Sequence, residues 1–259
     1  DLQTYIDSSI DELAIKSAKG NLFTALDNLA SYHNALGEYK RSEEIMEYSY
    51  AQKQKVFEEN DIILIISHII LAEAKTANRD FEGAAKHADK ALELFKDSAG
   101  EDLYWKAAAL STRGTIYENT GNMSMAKRYY EMGDQVYRTS LEHTYTKEFL
   151  DHLIELSKFY VKNHEDQNAI VKAKEAYDYV HQGSLQKTLQ EFYQTLNLSE
   201  VYYKLKNYEE SLKYSTEAIK FNLSSDETKM SSSDSILVQY RKPSAIFINT
   251  ASTYYLSEN

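Results

Sequence analysis

The stretch GNMSMAKRYYEMG, residues 121–133, carries a fixed order of sizes: Gly121, then apolar Met123, small Ala126, aromatic Tyr130 and small Gly133. Four relatives occur along the chain: GEYKRSEEIMEYS from Gly37, RDFEGAAKHADKA from Arg79, HEDQNAIVKAKEA from His164 and KNYEESLKYSTEA from Lys206. Their starts at 37, 79, 121, 164 and 206 are spaced by 42, 42, 43 and 42 residues, a regularity that predicts a repeat architecture. The sixth place of each segment is small (Ser42, Ala84, Ala126, Ala169, Ser211), and so is the last (Ser49, Ala91, Gly133, Ala176, Ala218). Small residues seven apart lie on one helix face and let a neighbouring helix come close.

Seven residues before each segment stands another small residue, Ala30, Ala72, Gly114, Ser157 or Ser199, within a second amphipathic stretch. Each unit therefore reads as helix A, short turn, helix B. Only 8 glycines and 1 proline (Pro243) occur in 259 residues, too few for a turn-rich strand protein, so the chain is predicted to be all-α. With 42% apolar residues a sizeable core is available. The net charge of −11 argues against a nucleic-acid or anionic-membrane surface. The absence of cysteine excludes thiolate chemistry and Cys-ligated zinc, and it leaves the compartment open. The longest apolar run, Ile62 to Ala72, is broken by Ser67 and His68 and falls short of the roughly 20 residues of a membrane span.

The arrangement of residues 1 to about 222 resembles the tetratricopeptide repeat (TPR) family, whose small residues sit where helices A and B touch and whose aromatics sit near the turn. The resemblance implies a right-handed α-solenoid of antiparallel helix pairs, a TPR-like superhelix. The unit of about 42 residues exceeds the usual 34, and the longer helices look like those of kinesin light chains and of bacterial proteins that join such arrays to a caspase-like (CHAT) protease. QKQKVFEEND, 52–61, most resembles the helix-B tail of those proteins. The family's Trp near the start of helix A and its closing Pro are missing. The organisation expected is a partial unit at 1–20, five units to 222, an irregular Ser-rich loop at 223–243 and the first helix of a further unit at 244–259. Both ends fall inside a unit, so a fragment of a longer chain is expected.

The resemblance places a partner-binding groove on helix A. It carries Asn34, Glu73, Thr76, Thr115, Glu118, Lys158, Tyr193, Glu200 and Tyr203 onto the groove face, together with Asp27 and Ser31. Asp27 and Ser31 stand where the family's clamp for a carboxylate-terminated chaperone tail has Lys and Asn, so that ligand is disfavoured by charge. Tyr39, Tyr117, Tyr130, Tyr160, Tyr202 and Tyr208 read as core positions. The seven histidines show no HExxH order and no i, i+4 ligand spacing, and neither a phosphate-binding glycine loop nor a GxSxG elbow is present. The sequence thus points to no catalytic residue, metal or cofactor. It predicts a non-catalytic scaffold that takes a protein or peptide, with no nucleic-acid or membrane partner; the compartment stays open, with the cytoplasm favoured, and so does the oligomeric state. The rival readings are the regulatory TPR portion of a CHAT-type protease or of a bacterial signalling regulator.

Overall fold

The computed structural model describes residues 20–96, 103–140, 147–182, 188–221 and 232–258. Among them there are helices and turns and no strand. The chain divides into two compact units, Asp1–Thr120 and Gly121–Asn259. The first holds α1 (20–35), α2 (Tyr39–Lys53), α3 (Ile62–Ala77), α4 (Phe81–Leu94) and α5 (Leu103–Asn119). The second holds α6 (Met123–Ser140), α7 (Lys147–Lys162), α8 (Asp166–Gln182), α9 (Leu189–Lys204), α10 (Tyr208–Lys220) and α11 (Ser232–Ser257). The partial unit expected at 1–20 lies almost wholly outside the described residues.

One turn recurs wherever a repeat segment begins. Gly37, Arg79, Gly121, His164 and Lys206, the five segment starts, all have positive φ (80°, 66°, 84°, 59° and 60°). At four of them the N–H of the left-handed residue bonds the carbonyl three back and the next N–H bonds the carbonyl five back. Arg79 thus donates to Thr76, Asp80 to Lys75, Lys206 to Tyr203 and Asn207 to Tyr202. This pair of bonds stops helix A by satisfying its last carbonyls. The residue after the left-handed one then starts helix B: Asp80 Oδ1 accepts from Gly83 N–H, Asn122 Oδ1 from Met125 N–H and Asn207 Oδ1 from Glu210 N–H. An N-cap directly after a helix stop leaves a three-residue link, 78–80 or 205–207, and folds the chain back on itself.

Behind the turn, the small residues let the helices meet. Ser42, Ala84, Ala126, Ala169 and Ser211 are at most 1% exposed, as are Ala30, Ala72, Ser157 and Ser199. In the second pair Ala72 clusters with Ala84, Ala88 and Ile116. In the α9–α10 pair, Ser199 Oγ donates to the Ser211 carbonyl (3.1 Å) and Ser211 Oγ donates to the Ser199 carbonyl (3.2 Å). Two hydroxyls in a dry contact are tolerated because each finds an acceptor across it. Larger side chains fill the flanks: Tyr130 meets Phe159 at 5.1 Å between ring centroids, and Tyr137 stacks on Phe149 at 4.9 Å.

Three expectations need correction. The irregular stretch at 223–243 is helical from Ser232 onward, in a helix that runs through Pro243. Val238 explains it: packed with Phe192, Leu196, Ala218, Ala245 and Ile248, it anchors the first half of α11 against α9 and α10, and burial outweighs local turn signals. The stretch 52–61 is not a helix tail, because α2 ends at Lys53 and the chain turns so that Phe57 packs on Phe23 and Leu64. Among the tyrosines read as core, Tyr130, Tyr160 and Tyr202 are buried, whereas Tyr39 is 42% exposed and Tyr117 and Tyr208 are half-buried.

The turn and the contact yield separate expectations. A Cβ at Gly37 would meet nothing within 4 Å, so Gly37→Ala tests backbone strain alone and is expected to cost about 1 kcal/mol. Lys206→Gly should be neutral or stabilising, because it relieves the same strain. Ala84→Trp should cost about 1–3 kcal/mol by overpacking, while exposed Glu82→Ala stays within about 0.5 kcal/mol. Urea melts of the four variants check both; equal effects at Ala84 and Glu82 would contradict the phase of the repeat.

Candidate functional site

The first helices of successive pairs pack side by side, α3 next to α5 in the first unit and α7 next to α9 in the second. Each neighbouring pair forms a ridge that presents its unpacked side chains as one face. In the first unit Glu73 is exposed and accepts from Thr112 Oγ1 of α5 at 3.3 Å, which ties its carboxylate across the ridge. Thr115 and Glu118 stand half-buried further along α5, the Thr115 hydroxyl donating to the Ser111 carbonyl. Asn34 is half-buried on α1, with its side-chain oxygen turned inward. In the second unit Lys158 is exposed beside Glu155 (3.6 Å), and Glu200 is half-buried on α9. Tyr193 and Tyr203 rest against the cluster of Phe192, Leu196 and Val238 with part of each ring in solvent.

Thr76 does not belong to this face: it is buried and its hydroxyl donates to the Ala72 carbonyl at 2.7 Å within its own helix. Asp27 is also withdrawn, since it receives the ammonium of Lys53 and the hydroxyl of Ser49. Lys53 is 1% exposed and also donates to Ser67 Oγ at 2.7 Å. This buried pair joins α1, α2 and α3. The spacing that puts Asp27 on a face of α1 does not tell which neighbour that face meets.

Charged side chains also join successive repeats within each unit. Lys75 donates to Glu43 (2.6 Å) and Glu47 (2.8 Å), and Glu43 accepts from Asn78 as well. Burial acts to raise the Glu43 pKa, but the hydrogen bonds from Lys75 and Asn78 outweigh it and hold the carboxyl below its ordinary value. In the second unit Asp134 takes Lys172 (2.9 Å) and Arg138 (2.9 Å), and Arg138 takes Glu175 (2.7 Å). Beside them His152 is wholly buried, which pushes its imidazole down to about 4 and keeps it neutral at pH 7. His181 shows the opposite behaviour. Burial disfavours its charge, yet the bond to Glu217 at 2.8 Å, the Tyr177 carbonyl and nearby Glu191 raise its pKa.

The histidines are less scattered than the sequence suggests. His68 on α3 and His87 on α4 meet at 2.8 Å. Their mirror places about the turn, four before Ala72 and three after Ala84, are the signal that could have found them. Among the described residues no group of three or more His, Asp or Glu is arranged to hold a metal. No helix among them is long and apolar enough to cross a membrane.

Antiparallel pairs with a repeated turn, packed side by side, define an all-α helical-repeat protein. Residues 22–60 match one tetratricopeptide repeat model, and 107–132 and 196–224 match a second. These three segments are similar to tetratricopeptide repeats. Solved structures agree at the level of the fold. A single-site variant of the nearly identical TPR-like repeats of a candidate kinesin light chain from Podosopora anserina aligns with a TM-score of 0.55 at 15% identity over 75% of this chain and 92% of its own. BtubC (BKLC) from P. vanneervenii aligns with a TM-score of 0.56 at 15% identity over 88% of this chain and 91% of its own. No curated protein matches the chain.

Removing the carboxylate of Asp27 strands a buried ammonium. Asp27→Ala is expected to cost about 3–5 kcal/mol, whereas Lys53→Met should cost less because it removes the charge that needs a partner. Denaturant unfolding followed by circular dichroism compares the two, and an Asp27→Ala protein as stable as wild type would contradict the pair.

Proposed function

We propose that this chain is a non-catalytic scaffold that holds a protein partner, a helix or a folded surface, against the first-helix faces that its two units carry. The observation that carries this reading is the pair of ridges, α3 with α5 and α7 with α9, each presenting polar side chains on a packed base, with Tyr193 and Tyr203 on the second. Such a face is pre-organised, so little side-chain order has to be gained on binding. Tyr193 and Tyr203 add contact area on the second ridge at low entropic cost, because each ring is already braced by the core. Glu73, Glu118 and Glu200 make the face acidic in places, and with a net charge of −11 this suits a neutral or basic partner surface better than a nucleic acid.

The test is affinity capture from the cell of origin with the wild-type chain, with a Glu73, Glu118, Glu200, Tyr203 alanine variant, and with an exposed helix-B variant, Glu82→Ala with Lys86→Ala. A partner held by the wild type and the helix-B variant and lost by the first-helix variant is the expected result. Equal recovery by all three, with the fold intact by circular dichroism, would move binding off this face.

A further inference from the structure

In the first unit His68 and His87 approach Nδ1 to Nδ1 at 2.8 Å, with ring centroids 5.0 Å apart. At that distance one nitrogen donates and the other accepts, so a single proton lies between them. Tyr50 Oη on α2 stands 3.2 Å from His68 Nε2, and its ring is edge-on to His87 at 6.1 Å. Three helices thus meet on two imidazoles, of which His68 is 7% exposed.

The charged groups around the rings offer little to a second positive charge. His68 faces Lys90 of α4 and Glu59 of the linker after α2, and these two are paired with each other at 2.7 Å. His87 faces Lys75 of α3, Glu47 of α2 and Asp80 of the α3–α4 turn; Glu47 lies 2.8 Å and Asp80 3.7 Å from the Lys75 ammonium. Every carboxylate near the pair is therefore already engaged with a lysine. One added proton can sit on the outer nitrogen of the donor ring and leave the Nδ1–Nδ1 bond intact. Two added protons place a hydrogen on both Nδ1 atoms, and the bond cannot persist.

We propose that the His68–His87 pair is an acid-sensitive latch of the first unit, which ties α3 to α4, and through Tyr50 to α2, near neutral pH and releases them when both rings are protonated. This goes beyond the scaffold reading and does not depend on it. Burial first, then His87 and Lys90, push the His68 imidazole down to about 4, and burial with Lys75 lowers His87. Both folded values lie below the ordinary value of about 6.5, so the unfolded chain takes up protons first. The contribution of the pair to stability is complete above about pH 6.5 and is lost as the pH falls toward about 4.

The experiment uses the full chain with 15N-labelled histidine, titrated by NMR from pH 8 to about 3 so that the range extends below the folded His68 value, together with amide-exchange protection factors over residues 62–94 at pH 7 and pH 5. The expected result is that His68 and His87 titrate below the ordinary range in coupled steps. Protection over 62–94 should fall about tenfold or more in the wild type and clearly less in His87→Gln, while Tyr50→Phe keeps most of the fall. If His87→Gln does not fold, His68→Gln and the wild-type titration still decide. Independent titration of both rings near 6.5, or an equal loss of protection in wild type and His87→Gln, would overturn the latch. Buried His152 of the second unit is shared by the wild type and His87→Gln, so the difference between the two proteins reports the pair alone.

Discussion

Everything in this fold depends on two helices of a pair coming close enough for three residues to join them. That closeness is set by the absence of bulk at Ala72 and Ala84, at Ser199 and Ser211, and at their equivalents, all of them buried. A large side chain at any of these places would push the axes apart, and a three-residue link spans only about 10 Å when fully extended. The left-handed residue and the following cap are therefore not an independent feature. They are the backbone solution that a short link between close antiparallel helices demands, which is why positive φ recurs at all five segment starts even where the residue is Arg79, His164 or Lys206. Strain at those three places is accepted because two backbone hydrogen bonds and a buried contact are gained with it.

The period and the small positions were legible in the sequence because they are absolute requirements: nothing larger fits, so the pattern survives in each unit. The left-handed turns were legible only at Gly37 and Gly121. The helix at Ser232 was hidden, since Ser-rich composition and Pro243 are local signals, and what overrides them is the distant contact of Val238 with Phe192 and Ala218. Glu73, Lys158, Glu200 and Tyr203 keep solvent contact, but Thr76 and Asp27 do not. A helical period says which residues share a face, and it does not say that a lysine 26 residues away, Lys53, will be buried against one of them. Likewise His68 and His87 were invisible to a search for i, i+4 pairs because their partners lie across a turn, not along a helix.

The ion pairs within each unit have a different role from the small-residue contacts. An exposed pair such as Lys86–Glu82 contributes little in water. Lys75 with Glu43 and Glu47, and Arg138 with Asp134 and Glu175, are partly shielded and multiply bonded, and each spans two successive repeats. Apolar contacts between smooth helix faces tolerate sliding by a turn. A lysine seated between two carboxylates does not, since a shift of one turn, about 5.4 Å, would leave the charges unpaired. These pairs therefore select the register at which one repeat stacks on the next, while burial supplies the driving force.

This division of labour bears on function. A repeat array whose register is held by charge and whose base is held by burial presents a face that changes little with its surroundings, which suits recognition of a partner of fixed shape. The two imidazoles between α3 and α4 interrupt that constancy at one place. They stand between packed helices, where an apolar pair would pack without a titration, and their hydrogen bond to each other exists in some protonation states and not in others. The α3–α4 pair also supplies Glu73 to the candidate face, through the same helix that carries His68. A change in how α3 sits on α4 would thus be felt at the ridge it shares with α5, and the chemistry that sets it is the number of protons on one pair of rings.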